Sequence, residues 1–377
     1  MSERAIMWKR SLTHVTMKDK TMLSNHVSWS VLLIVALSIC SCSKDSTTSP
    51  VQTENPVSTG TWAQVATVQG GSSTEAIAGL AISPDKKLIA FGSFADNVIR
   101  LLDAGTRQVT RTLTGHTNRV TALAFSPDSR TLASTGTVNL QPADGSVRLW
   151  DVSSGLQLAT TSTTGINQLA FSPNGASLAG ASGGNPVQIQ VWNPATLSVQ
   201  RTITGVFRFV AFSPDGTRIA AGARDEKVYI INFLTGSQIA TYTGHTGWIT
   251  NAAFSSDGTM LASTGDDKKI LVWNAQTGAS TLTITGHTTY PEFVCFSPDG
   301  ATLASLGTGM TITRSGSSIS MTLSDSDRFP RMWNPKTAEE LTRIDVGGDI
   351  VSEIAISADW RLMVTGSKTG LLRIFQR

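Results

Sequence analysis

The chain has 377 residues, a formal net charge of +3 and 15% charged residues, a composition that disfavours charge-driven disorder and is compatible with a sizeable core. Its positive excess lies ahead of Cys42, where Arg4, Lys9, Arg10, Lys18 and Lys20 outnumber Glu3 and Asp19; from Cys42 onward acids and bases balance. A neutral domain lacks the basic footprint behind most nucleic-acid or acidic-lipid affinity, so both partner classes are excluded as expectations.

In chain order, the first feature is the apolar run Val31–Ile39 (VLLIVALSI), preceded by basic residues and followed by small ones. It is too short to cross a bilayer comfortably and has the layout of a secretory signal. The segment ends in ICSC, Ile39 to Cys42, which resembles the lipobox of bacterial lipoproteins. That resemblance implies cleavage after residue 41 and lipidation of Cys42. Cys40 is the alternative, but it places bulky Ile39 where a small residue belongs. Met17 opens a more compact signal, and either start leaves the same mature chain. The rival readings are an uncleaved anchor and a plain signal with water-soluble secretion. Residues 43–60 (SKDSTTSPVQTENPVSTG) lack apolar periodicity and read as a flexible tether. The predicted organisation is therefore a signal over 1–41, a lipidated cysteine and linker over 42–60, and a repeat domain over 61–377. It implies display in a cell envelope, periplasmic or at the outer surface, held to a membrane through lipid.

From Thr61 a phrase recurs seven times: AISPD at Ala81, AFSPD at Ala124, AFSPNG at Ala170, AFSPDG at Ala211, AFSSDG at Ala253, CFSPDG at Cys295 and AISAD at Ala355. The copies are spaced by 41 to 46 residues, except the last at 60, which marks an insertion. Around each copy, apolar and polar residues alternate, the chain turns at Pro-Asp-Gly or its equivalent, and a second strand follows. A third strand ends in VRLWD (to Asp151), IQVWN (to Asn193), ILVWN (to Asn274) or PRMWN (to Asn334); Leu102, Ile231 and Phe375 replace the tryptophan in copies one, four and seven. A fourth strand closes each unit, and no ordinary helix is needed after residue 60.

The pairing of Gly-His openings (Gly115-His116, Gly244-His245, Gly286-His287) with WD or WN endings in the same copies resembles the WD-repeat family. The resemblance covers residues 61–377 and implies an all-β, seven-bladed β-propeller. It also implies that TWAQVATV, from Thr61, completes the last blade, because the chain stops at LLRIFQR without an outer strand. In the family pattern a histidine, a serine, a turn aspartate and the tryptophan form a buried tetrad. Carried over, these are His116, Ser134, Asp144 and Trp150; His245, Ser263, Asp267 and Trp273; and His287, Ser305, Asp327 and Trp333. Asp96 and Asp225 hold the turn position in blades without the histidine and are expected to face water.

No enzyme motif is present, no convergent acid, base or nucleophile set can be located, and neither a metal nor a cofactor is expected. The acid pairs Asp266-Asp267 and Asp325-Asp327 read as ordinary turns, and Cys295 as a buried core thiol. Insertions cluster between second and third strands, at 137–145, 181–188 and 307–327, the last predicting a hairpin over Thr311–Leu323. Arg119, Trp248 and Tyr290 occupy equivalent, exposed places in the opening loops, with Phe207 and Arg208 nearby. These residue types commonly anchor interfaces, and a protein or peptide partner is expected across that face. The alternative is a carbohydrate or small-molecule binder, or a cryptic hydrolase, using the channel mouth.

Overall fold

The computed structural model describes residues 60–377, apart from 71–75, 95, 137–143, 164, 183–187, 206, 223, 316–317 and 324–326, together with residues 15–17; over 15–17 and 310–323 it describes the backbone alone. Every regular element among them is a strand. They form seven four-stranded antiparallel sheets and one three-stranded ribbon. In blade one, Ile77–Ile82, Leu88–Ser93, Ile99–Asp103 and Val109–Leu113 pair in chain order. Blades two to five repeat that order. Blade seven takes Val351–Ile356, Leu362–Ser367 and Leu371–Gln376, then recruits Ala63–Gln69 from the start of the domain. The predicted seven-bladed propeller and its N-terminal closure are both present.

The repeated phrase works through its serine. In all seven copies the hydroxyl donates to the side chain two residues on, as in Ser83 to Asp85 at 2.7 Å and Ser297 to Asp299 at 2.5 Å. It also accepts the backbone N–H five residues on, at 2.8–3.0 Å. Side chain thus replaces water at the tight turn between first and second strands. Burial then falls from the axis outward. Pro291–Phe296 and Val351–Ile356, both innermost, are buried at every position, whereas Val109–Leu113, outermost, is exposed at all but Leu113. Blades pack face to face through apolar clusters such as Phe209, Val228, Tyr242, Ile249, Leu261 and Trp273 between blades four and five.

The pairing of first and second strands carries a register shift in every blade but the fourth. In blades two, three, five, six and seven the bulged residue is Thr121, Asn167, Thr250, Glu292 and Ser352 respectively. Each lies three residues before the alanine or cysteine of its phrase, and a bulge re-aims its side chain out of the pleat. Blade four has Arg208 at that place, just before its short first strand Phe209–Phe212.

Blade six pairs Pro291–Phe296, Leu303–Gly307, Arg331–Trp333 and Glu340–Arg343. Its insertion forms the predicted hairpin, Met310–Ser315 against Ser318–Leu323, with Ser315 opposite Ser318. Val15–Met17 lies along the hairpin's second strand, Val15 opposite Met321. The rest of the expected signal, Cys42, and most of the inserts of blades two and three fall outside the described residues. No helix among the described residues is long and apolar enough to cross a membrane.

Ala63–Gln69 pairs with Leu371–Gln376 from Ala63 opposite Gln376 to Gln69 opposite Leu371. A chain beginning after residue 69 is therefore expected to expose Leu371–Gln376 as a free edge. It should lose roughly 1 kcal/mol for each ladder hydrogen bond and associate edge to edge. Urea denaturation with light scattering tests this; an unchanged, monodisperse midpoint would show that the closing strand is dispensable.

Candidate interaction face

All three histidine tetrads assemble. His116 bonds Asp144 at 2.7 Å and Ser134 at 2.7 Å, and Trp150 donates to Ser134 at 2.8 Å. In blade five, His245 lies 3.0 Å from both oxygens of Asp267 and 2.8 Å from Ser263, which Trp273 reaches at 2.8 Å. In blade six, His287 lies 2.9 Å from Asp327 and 2.7 Å from Ser305, and Trp333 donates to Ser305 at 2.7 Å. The aspartates also accept backbone N–H groups of the opening loop, Thr117 at 2.7 Å and Thr288 at 2.7 Å. The glycine before each histidine is needed for closeness: a Cβ on Gly115, Gly244 or Gly286 would stand 3.1 Å from the tryptophan ring. Histidine and aspartate side chains in these sets are at most 4% exposed. The three histidines therefore fix their blades from inside and do not face a reactant.

Hydrogen bonding from their partners holds Asp144, Asp267 and Asp327 below the usual carboxylate range even though burial pushes the other way. Asp266, beside Asp267, serves the opening loop instead, its Oδ1 accepting the Trp248 N–H at 2.7 Å. Among the described residues no group of three or more His, Cys, Asp or Glu could hold a metal. Cys295 is a buried free thiol.

Two expectations need correction. Asp96 and Asp225 do not merely face water. Arg100 grips Asp96 through both guanidinium ends, one at 3.2 Å and the other at 2.5 Å. The Tyr229 phenol donates to Asp225, and burial followed by that bond pushes Tyr229 up to about 12. Where the histidine is missing, a third-strand side chain meets the turn aspartate instead. The second correction concerns exposure: Tyr290 is 1% and Phe207 5% exposed. Phe207 packs edge-on against Tyr229 with ring centres 5.8 Å apart, and Tyr290 is turned into the blade-six wall.

The other three candidates do reach solvent. Arg119 and Trp248 are half-buried in equivalent opening loops, and Arg208 is half-buried near the axis. Arg119 lies over the Phe94 ring at 4.3 Å, and Arg224 over Trp248 at 5.1 Å. Each pair stacks a cation on an aromatic ring and joins an opening-loop residue of one blade to the connection between second and third strands of the blade before it. Repeat patterning does not point to Phe94 or Arg224, because each meets its opening-loop partner from a different strand connection of the neighbouring blade.

Glu292 also escapes the repeat pattern. It is 5% exposed, its Oε2 is without a hydrogen-bond partner, and the buried Tyr290 hydroxyl is also unpartnered. Burial pushes the Glu292 carboxyl up to about 7, against the attraction of Arg208 and the nearby Tyr290 phenol. The sequence does carry a signal for it: Glu292 holds the same repeat position as Arg208, where other blades have Ala78, Thr121, Asn167, Thr250 and Ser352. Below it, Asn251 donates to the Glu292 carbonyl at 2.9 Å and Gln168 accepts from Val210 N at 2.8 Å, linking neighbouring blades. The channel continues past these amides to a wide apolar end lined by Ala81, Phe125, Phe171, Phe212, Phe254 and Ile356.

Comparison with known proteins adds to this picture. The family model described as "WD domain, G-beta repeat" matches residues 107–151, 198–232, 236–274 and 278–334. The chain is 32% identical over 175 residues to the B-type cell cycle switch protein ccs52B of Medicago truncatula, covering 45% of this chain and 35% of that protein. It is 32% identical over 152 residues to an uncharacterized WD repeat-containing protein of Synechocystis, 39% of this chain and 41% of that one. It is 26% identical over 217 residues to pre-mRNA-processing factor 19 of Mus musculus, 54% of this chain and 41% of that one. The matched stretch thus spans well under half the length of each of these relatives.

Proposed function

Because this chain is a seven-bladed β-propeller built of WD repeats, we propose that it is a non-catalytic scaffold that binds a protein or peptide across the face where its innermost strands begin, displayed in a bacterial cell envelope through lipid on Cys42. The observation that carries the binding reading is the pair of cation–aromatic platforms, Arg119 on Phe94 and Arg224 on Trp248, on a rigid ring. Aromatic and arginine side chains that are already ordered lose little conformational freedom on binding, which is what makes such residues effective anchors. Relatives whose names denote a cell cycle switch protein and a pre-mRNA-processing factor are in keeping with regulatory binding. A WD-repeat fold alone does not select a partner.

Replacing Trp248 and Arg119 together by alanine should reduce partner retention on immobilised protein at least about tenfold, given about 1–2 kcal/mol per anchor. Wild-type retention by the folded double variant would refute this face. The envelope reading rests on the ICSC resemblance. Intact mass of protein extracted from its native membrane should show an acylated chain starting at Cys42, and Cys42→Ser should abolish that mass. An unprocessed chain would remove the lipid anchor and leave the propeller unaffected.

A further inference from the structure

The mouth of the channel holds two opposite charges that do not meet. Arg208 of blade four and Glu292 of blade six are within electrostatic reach of one another, yet neither forms an ion pair among the described residues. Among the described residues, Glu292 Oε2 and the Tyr290 hydroxyl beside it are buried without a hydrogen-bond partner. A carboxylate that is 5% exposed, with one oxygen unpartnered and only the Tyr290 phenol and the field of Arg208 to offset burial, is an unfavourable arrangement. Its position is built rather than incidental. Glu292 is the bulged residue of its strand, its carbonyl is held by Asn251, and the flanking Pro291 carbonyl accepts the Thr250 hydroxyl. A bulge is one of the ways a sheet aims a side chain at a site.

The geometry points to a small-ligand site in which Glu292 and Tyr290 receive the ammonium, and Arg208 the carboxylate, of a zwitterionic α-amino acid. A simple cation would satisfy Glu292 while meeting the field of Arg208; a simple anion would face the reverse conflict. A ligand with both charges side by side completes each group with a charge-assisted hydrogen bond, roughly twice as strong as a neutral one. Arg208 is half-buried, so the site opens to solvent on its side. This site is independent of the outer platforms at Phe94 and Trp248, so it stands or falls separately from the partner-binding face.

Calorimetric titration of the full chain with the free amino acids, dipeptides, ethylamine, acetate and a set of monosaccharides tests the assignment. The expected result is saturable binding of at least one free amino acid, with no measurable binding of ethylamine or acetate. Glu292→Gln and Arg208→Gln, each checked for an intact thermal transition, should weaken that binding by about tenfold or more. Dipeptide binding in place of free amino acids would overturn it, because a dipeptide's terminal charges are separated by a peptide unit. Absence of any zwitterion binding, binding insensitive to both substitutions, or preference for a sugar would overturn it. Because Glu292→Gln preserves volume and Arg208→Gln lies at a half-buried position, at least one folded variant is available for the comparison.

Discussion

The Glu292→Gln chain is expected to be more stable than the parent at pH 8 by about 3 kcal/mol, and equally stable near pH 4. The sign follows from linkage. The folded carboxyl sits at about 7 against an ordinary value of 4.5, so between those values the folded state holds a proton that the unfolded chain has released. Parent stability must therefore fall as pH rises from 4.5 through 7 and level off above it. A shift of that size corresponds to about 3 kcal/mol, and the amide removes it because it has no charge to bury. Urea midpoints at half-unit pH intervals measure the effect. Parallel profiles for the two chains would mean that Glu292 ionises as freely as an exposed carboxyl.

Asp327→Ala should have the opposite consequence. Asp327 bonds His287, accepts the N–H groups of Thr288 and Thr289 at 2.7 and 3.1 Å, and lies 2.9 Å from Arg331, itself 2% exposed. Removal leaves the buried imidazole with Ser305 alone, and the buried guanidinium with Glu340 at 3.5 Å and the Gly286 carbonyl at 2.8 Å. Losses of about 3–5 kcal/mol are typical when one partner of a buried charge pair is deleted. A urea midpoint within error of the parent would show that blade six does not depend on its tetrad. Low pH should act through the same groups: Asp144, Asp267 and Asp327 are depressed, so their stabilisation is complete above the unfolded value near 3.8 and is lost as pH falls through the folded values. Together with Glu292, this gives a stability maximum on the mildly acidic side of neutrality.

The fold is legible in the sequence because each blade restates it. Seven serine-anchored turns and three Gly-His openings paired with tryptophans fix strand order, spacing and closure without any tertiary information. The tetrad partners follow from repeat position even at Asp327, which is separated from His287 by a hairpin insertion. The face is less legible. Tyr290 and Trp248 hold the same place in their repeats, yet one is enclosed by its blade and the other is half-exposed, because that outcome depends on neighbouring connections and not on the local phrase. Glu292 sits inside PEFVCF, where the apolar neighbours conceal it from an amphipathic pattern, and only alignment against Arg208 reveals a second charge in the ring. The partners of Asp96 and Asp225 are hidden for a similar reason: Arg100 and Tyr229 lie four residues on, across a turn, and alternation alone does not say which strand face meets the loop.

The strand that closes blade seven also determines how the domain bears load. Gly60 accepts a hydrogen bond from the Arg377 side chain at 2.7 Å, so residues 60 and 377 share a corner of the outer rim. Any pull arriving through the segment before residue 60 enters the Ala63–Gln69 ladder before it reaches another blade. The joint that seals the ring is thus the first to carry such a load, and its loss would leave Leu371–Gln376 as a bare edge.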